Sequence, residues 1–206
     1  MWIYPQLVAS LSREYTGGPV THSPERVILL DDDGNPRGVA RKDEVHHQET
    51  PLHLAFSCHV RDDEGRLLLT RRALTKRAWP GTWTNAFCGH PAPFEAIPDA
   101  VQRRAREELG LEIADLQVEL PDFRYRAIDA SGIVENEICP VYTARAVGEP
   151  ELNPAEVMDA RWVSAEDLAA ALTAAPWAFS PWLVLQAQQL SATAGTIHAT
   201  AWRSVA

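Results

Sequence analysis

The 206-residue sequence predicts a domain of the α/β or α+β class, and three observations carry that prediction. Two apolar runs flank the turn Asp62-Asp-Glu-Gly65. A later segment bears an apolar stripe at helical spacing between Pro98 and Gly110. Further strand-like runs then lead to a helix opened by a proline at 181. The domain is expected over residues 26–190, with an N-terminal extension over 1–25 and a C-terminal tail over 191–206.

Taken in order, Val27-Ile-Leu-Leu30 reads as a buried strand, and the turn Asp31-Asp-Asp-Gly34 followed by Gly38-Val-Ala40 makes it one arm of a hairpin. The runs 53–60 and 66–71 form the second hairpin. A glycine loop from Gly89 leads to an acidic helix start at Glu95, and Val101, Ala105 and Leu109 give that helix one apolar face up to Gly110. Segments 123–126 and 133–144 read as strands around the turn Asp129-Ala-Ser-Gly132, and 160–163 as another. Ser164, backed by Glu166 and Asp167, opens a helix to about Leu172, and the last helix runs over 182–189. The sequence carries no internal repeat and no low-complexity segment.

Composition narrows the function. With 46% hydrophobic and 23% charged residues the chain is ordinarily globular and long enough for one buried core. A net charge of −9 argues against bulk attraction to nucleic acid or an anionic membrane, so an anionic substrate needs a local basic pocket. The three cysteines, Cys58, Cys88 and Cys139, cannot all pair with one another and match no metal spacing, which fits a reducing cytoplasm. No run approaches the roughly 20 apolar residues of a membrane span.

Four clusters stand out for chemistry: the helix glutamates Glu107 and Glu108, the pair His46 and His53, the run Cys88-Gly-His90, and Glu135-Asn-Glu137. Glycine loop, capped helix and carboxylates together suit a divalent metal held against a phosphorylated ligand. Histidines are frequent metal ligands with carboxylates as partners, although a single histidine is more often an ordinary core or surface residue. Glu135 and Glu137 share one face of a strand, which on pattern alone is most simply an exposed polar face.

The spacing of Gly89, Glu95, Arg103, Glu107, Glu108, Gly110 and Leu111 closely resembles the Nudix superfamily signature, with one departure: Arg104 stands where hydrolases of that superfamily carry a glutamate. The runs Leu52-His-Leu-Ala-Phe56, Thr70-Arg-Arg-Ala-Leu74, Trp79-Pro-Gly-Thr-Trp-Thr-Asn85, Cys88-Gly-His-Pro91, Asp122-Phe-Arg-Tyr-Arg126, Gly132-Ile-Val-Glu-Asn-Glu137 and Ser180-Pro-Trp182 add a narrower likeness. Over residues 26–185 the chain resembles the type 1 isopentenyl-diphosphate isomerases. That resemblance implies a Nudix fold with a mixed β-sheet packed between α-helices. It implies isomerisation of isopentenyl to dimethylallyl diphosphate through a tertiary carbocation, by a monomer or weak homodimer whose partner is the small isoprenoid diphosphate.

The resemblance also implies roles for residues. One divalent metal, manganese or zinc, would sit on His46, His53, His90, Glu135 and Glu137. The seven-residue gap to His53 favours His46 over the adjacent His47. Magnesium, carried with the substrate diphosphate, would meet Glu108 and the backbone carbonyl of Cys88. Lys42, Arg72, Lys76 and Arg104 would bind the diphosphate. Cys88 and Glu137 would be the acid/base pair, with Tyr125 beside the glutamate and Trp182 facing the cation. Phe94 occupies a loop position where many Nudix sequences have glycine.

Overall fold

The computed structural model describes residues 25–194, so the expectations for an extension over 1–25 and a tail over 191–206 fall almost wholly outside the described residues. The first hairpin forms as expected from strands β1 (Arg26–Leu30) and β2 (Pro36–Arg41). Its turn is closed by Asp31, whose Oδ1 accepts the backbone N–H of Asp33 at 3.1 Å and of Asn35 at 2.8 Å.

After helix α1 (Lys42–Val45) the run expected as one strand over 53–60 divides into β3 (His53–Leu54) and β4 (Phe56–Arg61). The run 133–144 divides likewise into β10 (Val134–Ile138) and β11 (Val141–Val147), where Pro140 lacks the N–H a strand interior requires. The two breaks are a single event. β3 runs parallel to β10, and β4 runs parallel to β11, so the pair leaves one sheet and enters the other together. The backbone groups at the crossing stay paired, Ala55 N–H to the Ile138 carbonyl at 2.9 Å and Ser57 N–H to the Pro140 carbonyl at 3.1 Å.

The mixed β-structure packed with helices that the resemblance implies is present, laid out as two mixed sheets. The first has the order β2-β1-β3-β10-β9, with β9 at Arg124–Ile128. The second has the order β12-β5-β4-β11-β8, from β12 (Val157–Val163), β5 (Leu67–Arg72) and β8 (Glu112–Leu120). Two short strands complete it, β6 (Trp83–Thr84) on β5 and β7 (Phe87–Gly89) on β4. The edge strand β8 has no counterpart in the sequence reading. Its charges at Glu112, Asp115 and Glu119 and the positive φ of 54° at Asp115 interrupt the alternation by which a strand is recognised.

Helix α2 (Ile97–Leu109) begins after an Ala96 cap, so Glu95 lies just before the helix rather than within its first turn. Val101, Ala105 and Leu109 pack with Phe56, Phe87 and Leu111 in the largest core cluster, as the stripe predicts. The helix ends at Gly110 in the left-handed conformation, with the N–H groups of Gly110 and Leu111 on the carbonyls of Arg106 and Ala105. The Ser164 hydroxyl accepts Asp167 N–H at 3.0 Å to cap α3 (Ala165–Ala174). A 3₁₀ turn at Pro176–Ala178 leads to α4 (Pro181–Ala194), which reaches five residues beyond its expected end and four past the expected domain limit at 190. Leu168, Leu172 and Leu183 set α3 and α4 against Leu67 and Leu69 of β5. Among the described residues no helix is long and apolar enough to cross a membrane.

Gly89 is where α2 presses on β7: a Cβ there would lie 2.8 Å from Arg104 Cγ and 2.8 Å from Phe56 Cζ. Phe56 is fully buried, so the contact cannot be relieved cheaply. Gly89→Ala should cost about 1–3 kcal/mol and lower the melting temperature by several degrees in a thermal unfolding scan. An unchanged melting point would show that helix and strand have room to separate.

Candidate active site

Strand register aligns the chemistry. His53 on β3 pairs with Glu137 on β10, and Glu137 pairs with Tyr125 on β9, so the three stand side by side across the first sheet. Glu135, two residues before Glu137, shares its face. The exposed polar strand face that pattern alone favours is not what forms: Glu135 and Glu137 are 6% and 4% exposed. His46 follows α1, and the segment behind it is tied to β10 by Val134 N–H on the His47 carbonyl at 3.0 Å. His46 is buried while His47 is exposed, which selects His46 as the inward histidine. From the second sheet, β7 aligns Cys88 with Ser57 of β4 and delivers His90 just beyond its end.

The structure thus brings four of the five expected ligand residues into one cluster, with Glu135 beside His46. One ligand atom from each of His46, His53, His90 and Glu137 lies within 4.8 Å of the others. His53 Nε2 is 3.2 Å from His90 Nε2 and 3.4 Å from Glu137 Oε1, and His90 Nε2 is 3.2 Å from the same oxygen. His53 Nδ1 is 2.9 Å from the Pro51 carbonyl, which only accepts, so the proton resides on Nδ1 and a lone pair on Nε2 faces the cluster. His46 Nε2 approaches Glu135 Oε2 to 3.1 Å, yet both atoms are buried without an aligned hydrogen-bond partner. Orphaned nitrogen and oxygen atoms converging in this way fit a divalent cation.

The electrostatics agree. Burial and the neighbouring Glu137 charge push Glu135 upward. Burial opposes ionisation of Glu137 as well, but the His53 and His90 imidazoles beside it outweigh it and hold Glu137 well below the usual carboxylate range. Burial depresses His90 to about 3, despite the adjacent Glu137.

A cavity of about 480 Å³ is lined by residues of both sheets, with Cys88, Tyr125 and Trp182 bordering it beside the histidine and glutamate cluster. Glu137 divides its oxygens: Oε1 faces the imidazoles, while Oε2 accepts the Tyr125 hydroxyl at 2.9 Å. Trp182 is buried, with Tyr125 at 5.7 Å and Trp79 at 5.4 Å between ring centroids. Burial drives the Cys88 thiol up to about 12 despite hydrogen bonds with Ser57 and Asn85.

Lys42, Arg72, Lys76 and Arg104 all line the cavity. Arg104 is 3% exposed and pairs with Glu108, a buried ion pair within α2. Arg72 donates to the Ala78 carbonyl at 3.0 and 2.8 Å and lies 5.4 Å over the Trp182 ring. Phe94, with φ of 70°, keeps the backbone conformation that glycine adopts readily.

The sequence reading gave no role to Asn85. Its amide nitrogen donates to the Cys58 and Phe87 carbonyls at 3.0 and 2.8 Å. Its single oxygen accepts from Trp182 Nε1 at 3.0 Å, Thr84 Oγ1 at 2.9 Å and the Cys88 thiol at 3.4 Å. It thereby links the thiol and the indole. Glu156, also unassigned, contacts Lys76 and Arg104. A buried asparagine between two very short strands, or a glutamate brought near by a loop, leaves no periodic trace in sequence.

Residues 51–183 match the family model described as NUDIX domain. An isopentenyl-diphosphate Delta-isomerase from Agromyces mediolanus is 64% identical over 179 residues, covering 87% of this chain and 86% of that protein. One from Mycolicibacterium vanbaalenii is 57% identical over 180 residues, covering 87% and 98%. Among solved structures, DR0079 from Deinococcus radiodurans superposes with a TM-score of 0.63 at 20% identity over 81% of this chain and 99% of that one, a likeness of fold alone.

Removing Asn85 would take from Trp182 Nε1 its hydrogen-bond acceptor inside the protein and withdraw a donor from the Cys58 and Phe87 carbonyls, while Thr84 Oγ1 would keep Ser180 Oγ at 2.8 Å. Asn85→Ala should therefore destabilise by about 2–4 kcal/mol in urea unfolding. A loss under about 0.5 kcal/mol would mean that the network re-forms without it.

Proposed function

This chain belongs to the isopentenyl-diphosphate Delta-isomerase family of NUDIX-domain proteins, and we propose that the cavity between its sheets is where the double bond is moved. The enzyme interconverts isopentenyl and dimethylallyl diphosphate. A proton adds to the terminal methylene carbon, a tertiary cation forms at the branched carbon, and a proton leaves the next carbon toward the diphosphate. No atom is gained or lost overall.

The observation that supports this reading is that a thiol and a carboxylate, one from each sheet, line the same cavity. Cys88 comes from the second sheet, and Glu137, hydrogen-bonded to Tyr125, comes from the first. A prenyl tail between them exposes its two reacting carbons to one group each. Tyr125 can pass a proton to and from Glu137 along their hydrogen bond. Trp182 presents a buried π-face to the developing cation, a contribution of about 2 kcal/mol when water is excluded. With Tyr125 and Trp79 it forms an aromatic wall that keeps water from the cation.

His46, His53, His90, Glu135 and Glu137 would hold one divalent cation, for which manganese or zinc suits the nitrogen and oxygen donors. Bound there, such an ion would offset the two buried carboxylate charges and fix the orientation of Glu137. Lys42, Arg72, Lys76 and Arg104 bind the diphosphate, which enters as its magnesium salt, with Glu108 and the Cys88 carbonyl as protein oxygens for that ion. Arg104 supports isomerisation over hydrolysis. It replaces a carboxylate of the hydrolase signature with a cation that retains the diphosphate intact. Three free cysteines support a reducing, cytoplasmic setting.

Incubating the protein with isopentenyl diphosphate and magnesium in deuterated water, and following products by proton and phosphorus NMR, tests the reading. Dimethylallyl diphosphate carrying deuterium, without released phosphate, is expected from the wild type, and no turnover from a folded Cys88→Ala variant. Release of phosphate, or undiminished isomerisation by Cys88→Ala, would contradict it.

A further inference from the structure

The basic side chains assigned above to the diphosphate are already engaged within the protein. Lys42 Nζ lies 2.5 Å from Glu25 Oε2, Arg72 donates to the Ala78 carbonyl, and Arg104 meets Glu107 and Glu108. Glu156 joins two of them: Oε2 contacts Lys76 Nζ, and Oε1 lies 3.3 Å from Arg104 Nη2. The backbone that carries this carboxylate is held on both sides. Glu156 takes Ala73 N–H on its carbonyl at 3.0 Å and donates its own N–H to Asn153 at 2.9 Å. Asn153 in turn is fixed to the end of α2, through its N–H on the Glu108 carbonyl at 2.9 Å and its amide on the Glu107 carbonyl at 3.1 Å. Glu156 is thus pinned between the loop that carries Lys76 and the helix that carries Arg104. Burial would raise its pKa, but the charges of Lys76 and Arg104 prevail and hold it at about 2, so it stays an anion.

An anion fixed on two phosphate-binding cations needs a reason in a site that must take up a diphosphate. Substrate and product carry the same diphosphate, and the chemistry takes place in the hydrocarbon tail. Affinity for that group therefore lowers the energy of substrate, transition state and product alike, so it reduces KM, does nothing for the chemical step, and slows departure of the product. We propose that Glu156 sets the affinity of the diphosphate site, competing with the diphosphate for Lys76 and Arg104 and keeping its binding weaker than the cations alone would give. This rests on the assignment of Lys76 and Arg104 to the diphosphate.

Glu156→Gln keeps the size of the side chain and removes its charge. Arg104 retains Glu107 and Glu108 as anchors, so loss of the competing charge outweighs any loosening of the cations. Calorimetric titration with inorganic pyrophosphate and magnesium should give a Kd about tenfold lower than wild type, a change typical of one nearby charge in a partly buried site. KM for isopentenyl diphosphate should fall in parallel while kcat does not rise. A variant that merely loosened the structure would instead bind more weakly. Glu156→Ala should shift Kd in the same direction as Glu156→Gln, which guards against an effect peculiar to glutamine. Unchanged or weaker pyrophosphate binding in both variants would overturn the proposal. A wild type that binds pyrophosphate without isomerising isopentenyl diphosphate, while Glu156→Gln still tightens binding, would refute the activity and leave the role of Glu156 standing.

Discussion

Two carboxylates, Glu135 and Glu137, are buried on the same face of one short strand, and the rest of the site is arranged around that electrostatic cost. Each buried anion costs several kcal/mol unless it is paired, and here each also repels the other. The imidazoles of His46, His53 and His90 surround them, but His90 resists protonation because it is buried and so does not cancel the charge. His46 Nε2 and Glu135 Oε2 remain without aligned partners. A divalent cation held there would resolve repulsion and orphaned atoms together, because it offers a charge of two and accepts several lone pairs in one small volume.

The crossing of the parallel strand pairs serves this cluster and the cavity beside it. Because β3 and β10 pass into β4 and β11 at Ala55 and Pro140, one sheet supplies His53, Glu137 and Tyr125 while the other supplies Ser57 and, through β7, Cys88. Helix α4 then ties the second wall together. Trp182 and Gln186 lie four residues apart on one face, Trp182 bonding to Asn85 and Gln186 donating to Ser57 Oγ at 2.8 Å. Asn85 and Ser57 both contact the Cys88 thiol, at 3.4 and 3.1 Å. His59 completes the buried chain with Nε2 3.0 Å from Gln186 Oε1, burial lowering its pKa to about 4 so that it remains neutral. The thiol is thus set in an uncharged polar lattice, in the same cavity as a carboxylate set among imidazoles.

How much of this was legible in the sequence depended on whether the signal was local. The apolar stripe of α2 and its Gly110 cap were plain because helix periodicity and left-handed glycine are properties of adjacent residues. The convergence of His46, His53, His90 and Glu137 was legible only through the family resemblance. The burial of Glu135 and Glu137 was not, since strand alternation shows which residues share a face and not whether that face meets water. The strand breaks at Ala55 and Pro140 were hidden because apolar runs continue across both. Asn85 and Glu156 act through partners up to 97 and 80 residues away, contacts that only the folded chain creates.

Growing crystals with manganese and recording anomalous scattering at its absorption edge tests most directly whether the buried carboxylates are there to hold a cation. A strong anomalous peak within coordinating distance of His46, His53, His90, Glu135 and Glu137 is the predicted result. Crystals with no peak at that cluster, or with manganese solely beside Glu107 and Glu108, would show that those carboxylates are accommodated in some other way.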